Sequence, residues 1–344
     1  MDYALSLTDQ SGVAEARRAT IKLAQSLGFS ERYQADAALV ASEAATNIIK
    51  YAGRGEILLR HYVSGDVPGI ELLALDRGPG IPNLDTARRD GFSTGGSLGA
   101  GLGTMARQSH LFDIYSVAGA GTAVLARIQN AKSQVAGQMA AHVTTQLANS
   151  SRYSVGARST PKAAQEVCGD AWSVDERDGR MRTVLLDGLG HGPLASDASR
   201  RAVEIFRQAD RIDTPASILR RAHEGLKGSR GAVMAVAQID TAAGTAQFAG
   251  VGNIVGIVVS GETSQHLLST DGTVGYNMRL VREVSVEWTA RSAMILTTDG
   301  LSTRWNLNRH AGLIQHHPSL IAAVLHRDFA RDSDDATVVV VKAV

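Results

Sequence analysis

Thr183-Val184-Leu185-Leu186-Asp187-Gly188-Leu189-Gly190-His191-Gly192 is the stretch that decides how the second half of this chain is built. Val184, Leu185 and Leu186 predict a buried strand that stops at Asp187, and glycines follow at 188, 190 and 192. A carboxylate at a strand end, beside backbone that carries no side chain, can hold a hard cation. The Gly188 carbonyl can add a further oxygen. A single Asp-Gly is usually a turn, but the pattern recurs. Asp170 lies in Val167-Cys-Gly-Asp-Ala-Trp172, and Asp299 ends the run from Ala293 to Thr298 and precedes Gly300. Asp334 and Asp335 stand before Thr337-Val-Val-Val-Val341. Carboxylates at several strand ends suit a site assembled in three dimensions, where they would repel one another without cations between them. Unrelated turns are the alternative; the apolar β-type run beside each Asp argues against them.

The chain has 344 residues, enough for two domains, and its 44% hydrophobic content predicts packed cores. Its 35 basic and 34 acidic residues leave a formal net charge of +1, without charge blocks. There is thus no electrostatic case for nucleic acid or an anionic membrane as partner. Met1-Asp-Tyr-Ala-Leu-Ser lacks the basic and apolar regions of a signal peptide. No apolar run approaches the roughly 20 residues that span a bilayer. The lone cysteine, Cys168, allows no intrachain disulfide and reads as a small strand residue. A cytoplasmic location is expected.

In the first half, residues 11–27 predict a helix with Ser11 as N-cap and Gly28 as its stop. A second helix, 31–52, carries the apolar stripe Ala38, Ala41, Ala45, Ile48 and Ala52, with Glu43 and Asn47 on the opposite side. Strands are expected at 56–63 and 70–75, the latter ending in Asp76-Arg-Gly-Pro-Gly80. Gly99, Gly101 and Gly103 then lead into a helix over 105–110, and Gly121-Thr122 lies on a strand. Alternating glycines at a helix start let backbone N–H groups approach phosphate oxygens. Residues 129–152 are rich in Gln, Ala, Ser, Thr and Asn and read as the region of a linker. Beyond it, strands are expected at 153–158, 167–175, 181–187, 232–240, 245–249, 254–260, 281–288, 293–298 and 337–342. Helices are expected at 194–209, 214–227 and 318–330, giving an α+β class. His316-His317 lacks carboxylate neighbours in sequence and reads as surface, and His191 is as readily a turn residue as an acid.

Gly169-Asp-Ala-Trp172, Asp187–Gly192, Ser229-Arg-Gly231, Gly250-Val-Gly-Asn253, Thr298-Asp-Gly-Leu301 and Asp334-Asp-Ala-Thr337 resemble, in order, the motifs of PPM-type serine/threonine phosphatases of the SpoIIE/RsbX-like branch. Glu43-x-x-x-Asn47, Asp76-x-Gly-x-Gly80 and Gly99-x-Gly-x-Gly103 resemble the GHKL ATP-binding superfamily, closest to the RsbT/RsbW-like serine kinases. The resemblance implies a GHKL α/β sandwich over 1–130, a linker over 131–152, and a PPM β-sandwich flanked by helices over 153–344. It implies ATP with Mg²⁺ in the first domain, with Asn47 on the metal and Asp76 on the adenine amino group. Gly78 and Gly80 would lie by the base, and Gly99, Gly101 and Gly103 by the phosphates beneath a lid at about 85–98. Thr122 is counted with these nucleotide residues, and Glu43 is the general base toward a partner's hydroxyl. In the second domain it implies two Mn²⁺ or Mg²⁺ ions. Their ligands would be Asp170, Asp187, Gly188, Asp299 and Asp334, with Asp187 bridging and Asp335 the lesser candidate.

The function so implied is partner switching: phosphorylation of a STAS-type antagonist protein, linked to a sigma-factor regulator, and dephosphorylation of that protein or a sibling. Neither nucleic acid nor membrane is expected as partner, and an oligomer is left open. The alternative is a phosphatase whose first domain only binds or senses ATP.

Overall fold

The computed structural model describes residues 3–64, 67–84, 101–130, 148–149, 152–302 and 305–344. The chain divides into two compact units. One is Met1–Asn149 with Asn308–Val324; the other is Ser150–Leu307 with Leu325–Val344.

The first unit is built on an antiparallel sheet of order β1-β2-β3-β5-β4: β1 (Tyr3–Leu7), β2 (Gly55–Ser64), β3 (Val67–Asp76), β4 (Leu111–Val117) and β5 (Gly121–Gln129). Helices α1 (Ser11–Ser26) and α2 (Glu31–Asn47) cover one face, and α3 (Gly101–Gln108) packs on α2. Ile57, Leu59, Ile70, Leu72, Val124 and Ala126 meet Ala16, Leu23, Val40, Ala41 and Ala45 in one core. Alanines dominate the helix side of that layer, and their small side chains allow the backbone to lie close to the sheet. The stripe read from sequence is buried through Ile48, where the last turn widens into a π-helix over Ile48–Ala52 and stops at Gly53. Helix α1 begins differently from expectation. Ser11 is its first residue, and Asp9 Oδ1 accepts both the Ser11 N–H and its hydroxyl.

The opposite sheet face is buried as well, which is why Ile70–Leu75 reads as an almost unbroken apolar run instead of an alternation. Glu71 interrupts the run because its cross-strand partner is Arg127, 2.8 Å away, with both side chains at most 1% exposed. Ser319 donates to Glu71 at 2.8 Å, and the Arg127 guanidinium lies 4.8 Å from the Tyr62 ring centroid. Burial alone would raise the Glu71 carboxyl; Arg127 and then Arg60 overcome this and hold it at about 2. On the same face, Asp113 Oδ1 lies 2.8 Å from His316 Nδ1, and its Oδ2 accepts the His317 N–H. The two histidines are therefore half-buried and tied to a carboxylate distant in sequence, where a free surface pair was expected.

The second unit holds two five-stranded antiparallel sheets. The first has order β13-β10-β9-β8-β7: β7 (Asp170–Arg177), β8 (Arg180–Gly188), β9 (Ala232–Asp240), β10 (Thr245–Val251) and β13 (Glu283–Glu287). The second has order β12-β11-β14-β15-β6: β6 (Tyr153–Thr160), β11 (Val255–Ser260), β12 (Thr263–Leu267), β14 (Ser292–Thr297) and β15 (Ala336–Ala343). Helices α4 (Pro193–Arg207) and α5 (Pro215–Gly225) cover the first sheet, where Val184, Leu186, Met234 and Val236 meet Phe206, Ile218 and Leu219. The other face of this sheet meets the second sheet, with Phe248 against Gly256. Strands β7 and β8 are joined by the two-residue turn Asp178-Gly179, both at positive φ, the geometry that suits a tight hairpin. Helix α6 (Pro318–Phe329) precedes β15. Strands β1, β4 and β12 were not anticipated from sequence.

Arg127→Met should strand a buried carboxylate and cost about 3–5 kcal/mol in the first unit. The folded carboxyl of Glu71 titrates below its unfolded value, so its contribution is complete above about 4.5 and is lost as pH falls toward about 2. Hydrogen exchange of the β3 and β5 amides checks both statements. Wild-type protection in Arg127→Met at pH 7, or equal acid sensitivity in Glu71→Gln, would count against them.

Candidate functional site

Asp170 opens β7 and Asp187 lies near the end of β8, and the two are direct cross-strand partners. Side chains opposite one another in an antiparallel pair share a face about 4.5–5.5 Å apart, and like charges there oppose folding. The remaining carboxylates reach the same place through short ties. Asp335 Oδ2 accepts the Gly169 N–H at 3.0 Å and Oδ1 accepts the Lys162 N–H at 2.8 Å, which fixes β15 to the start of β7 and leaves Asp334 beside them. Thr298, next to Asp299, donates to Asp170 Oδ2 at 2.8 Å. Asn253 donates to Asp299 Oδ2 at 2.7 Å, and the Arg331 guanidinium donates to the Asp299 carbonyl. Close backbone approach fills the rest. A Cβ on Gly188 would stand 2.2 Å from the Ala195 carbonyl oxygen, so only glycine fits there.

Burial raises the Asp187 carboxyl to about 8, with Asp170, Asp299, Asp334 and Asp335 adding to the effect. Burial likewise raises Asp170 to about 7 against the pull of the Thr337 and Thr298 hydroxyls, and it raises Asp299, with Asp334 next in effect. Asp170 Oδ1 is buried and has no hydrogen-bond partner. Among the described residues no three acidic, His or Cys side chains form a finished metal cage. The carboxylates are neighbours whose all-oxygen donor set suits Mg²⁺ or Mn²⁺. Cys168 lies just before β7, half-buried, with its thiol donating to the Thr160 carbonyl at 3.5 Å. His191 is exposed in the loop before α4.

In the first unit, Glu43 and Asn47 lie one turn apart on α2, and Gly101 at the start of α3 meets both. A Cβ there would stand 2.8 Å from Glu43 Oε2 and within 4 Å of the Asn47 amide. Asp76 ends β3, and its Oδ1 accepts the Gly78 N–H at 2.8 Å and the Thr122 N–H at 3.1 Å. The Thr122 hydroxyl pairs with Ser116 at 2.9 Å. A side chain at Gly78 would strike Ala52, and one at Gly80 the Val117 carbonyl, so the chain's own packing already demands both glycines. Gly103 lies in α3; Gly99 and the expected lid fall outside the described residues. The structure thus brings together Glu43, Asn47 and Gly101, and separately Asp76, Gly78 and Thr122.

Residues 7–128 match the histidine kinase-like ATPase domain model, and residues 177–344 match that of stage II sporulation protein E. The serine/threonine-protein kinase RsbT of Bacillus subtilis (strain 168) is 40% identical over 114 residues, which are 33% of this chain and 86% of RsbT. The chain is a member of the RsbT-like kinase family fused to a SpoIIE-type phosphatase domain. Phosphoserine phosphatase RsbX of the same organism is 27% identical over 143 residues, 41% of this chain and 71% of RsbX. A chain from the bacterial stressosome, described as a modular system adapted to control secondary messenger signalling, superposes with a TM-score of 0.52 at 26% identity. It covers 55% of this chain and 99% of its own length. The structure of RsbX in complex with magnesium superposes with a TM-score of 0.51 at 20% identity, over 58% of this chain and 100% of that one, and shows the shared fold. Among the described residues no helix is long and apolar enough to cross a membrane.

Sequence reading passed over Thr298, Asn253 and Arg331. Thr298 and Asn253 sit inside quoted motifs, yet a threonine in a strand and an asparagine in a glycine turn look like ordinary structure. Nothing local marks Arg331.

Because Asp187 keeps its proton to about 8 in the folded chain but releases it near 3.8 unfolded, metal-free stability should fall as pH rises between these values. In EDTA at pH 9, Asp187→Asn should melt higher than wild type, by about 2–4 °C for each kcal/mol of repulsion relieved. A lower melting temperature for the variant would refute the repulsive cluster.

Proposed function

We propose that this chain is a partner-switching regulator with opposed activities, the domains meeting in a linker over residues 131–152. The first domain phosphorylates a serine or threonine on a STAS-type antagonist protein. The second removes phosphate from that protein or a sibling. The convergence of buried, mutually repelling carboxylates in a SpoIIE-type domain is the observation that carries the phosphatase reading. The RsbT relative and the Glu43–Asn47–Gly101 cluster support the kinase.

Asp170, Asp187, Asp299 and Asp334 would hold two Mn²⁺ or Mg²⁺ ions, with the Gly188 carbonyl assisting. Once bound, such ions make water a nucleophile at neutral pH and neutralise charge on a phosphoryl group. The protein supplies rigidity: paired strands hold Asp170 and Asp187, and Asn253 orients Asp299. In the first domain Glu43 takes the proton from the attacking hydroxyl. Asn47 serves the Mg²⁺ of the nucleotide, and Gly101 keeps α3 close enough for phosphates to meet its N-terminus. Asp76, pinned by two backbone N–H groups, would accept from the adenine amino group, with Gly78, Gly80, Gly103 and Thr122 completing the pocket.

In a mixture with γ-labelled ATP and a STAS protein, Asp187→Asn should drive the partner to its phosphorylated form. Glu43→Ala should leave it unphosphorylated while still binding ATP. No phosphotransfer by wild type, with ATP-dependent partner binding that survives Glu43→Ala, would instead establish a non-catalytic ATP clamp. An unchanged phosphorylation level in Asp187→Asn would mean that the domains serve different proteins.

A further inference from the structure

Thr298 is 1% exposed and carries one hydroxyl proton. Its Oγ1 accepts the Thr337 N–H at 2.9 Å, so β15 backbone fixes the hydroxyl in place. Its proton then goes to Asp170 Oδ2 at 2.8 Å. The neighbouring Thr337 hydroxyl also draws on the Asp170 carboxyl, but its hydrogen bond at 2.9 Å goes to Ser159 Oγ, which leaves Thr298 as the side chain donating to Oδ2. One Asp170 oxygen is thereby occupied, while Oδ1 stays buried without a hydrogen-bond partner. A buried carboxylate oxygen left unpaired carries a desolvation cost that a cation would offset.

We propose that Thr298 is a positioning residue for a divalent cation. By donating to Oδ2 it orients the Asp170 carboxylate as an acceptor and dedicates Oδ1 to the metal. This rests on the reading of Asp170 as a metal ligand. Partners that orient a ligand from behind are typically worth about 10–100-fold in metal affinity.

The test is Mn²⁺ titration of the full chain without nucleotide, with free Mn²⁺ read by electron paramagnetic resonance. Thr298→Val should weaken binding about 10–100-fold, with turnover recovering in excess Mn²⁺. Thr298→Ser, which keeps donor and acceptor, should bind within about twofold of wild type. If the valine variant fails to fold by circular dichroism, Thr298→Cys, with its weak S–H donor, should still bind more weakly than the serine variant. Wild-type affinity in Thr298→Val or Thr298→Cys, while Asp170→Asn loses binding, overturns the proposal and leaves the ligand reading standing. Wild-type affinity in Asp170→Asn overturns both.

Discussion

Two aspartates facing each other across an antiparallel strand pair are an unfavourable arrangement, and the second unit is organised to sustain it. Burial and mutual repulsion push Asp170 and Asp187 toward the protonated form. A flexible frame would relax by turning one side chain away. Here the strands are interior to a five-stranded sheet or tied at their ends, Asp335 clamps the Gly169 N–H, and Gly188 packs directly on α4. The frame stores an electrostatic tension that a divalent cation would release, a common trade of stability for function.

The first unit buries a carboxylate by the opposite strategy. Glu71 is fully enclosed, yet Arg127, Arg60 and Ser319 surround it, and its proton is held off to about 2. Its Oε1 accepts no hydrogen bond, yet Arg60 lies 3.8 Å from it, so opposite charge answers this carboxylate where like charge surrounds Asp170. Burial of a charge therefore says little about function until its neighbours are known: opposite charge makes structure, like charge makes a site.

Much of this was legible in the sequence because strand-end aspartates and paired glycines leave local traces. Apolar runs before Asp187 and Asp299 placed their strands, and the α2 alanine stripe placed Glu43 and Asn47 on one helix. What escaped was set by contacts distant in sequence. Strands β1 and β4 lie at sheet edges, where burial patterns blur. The partnership of Asp113 with His316 spans some two hundred residues and has no sequence periodicity. Asp334 and Asp335 are adjacent and chemically identical, and nothing local shows that Asp335 accepts the Gly169 and Lys162 N–H groups while Asp334 accepts that of Asp335.

The tight turn at Asp178-Gly179 is far from the carboxylates, about 25 Å along the strand at the usual rise per residue. It nevertheless acts as the ruler of the site. Side chains alternate faces along a strand, so a register shift of one residue exchanges inside for outside. Losing or gaining one residue at this exposed tip would re-register β8 against β7, turning either Asp187 away from Asp170 or the helix-facing Val184 and Leu186 away from their core. Loop tips normally tolerate changes of length during evolution. This one should keep both its count and residues such as Asp, Asn or Gly that accept positive φ, as strictly as the aspartates whose alignment it measures.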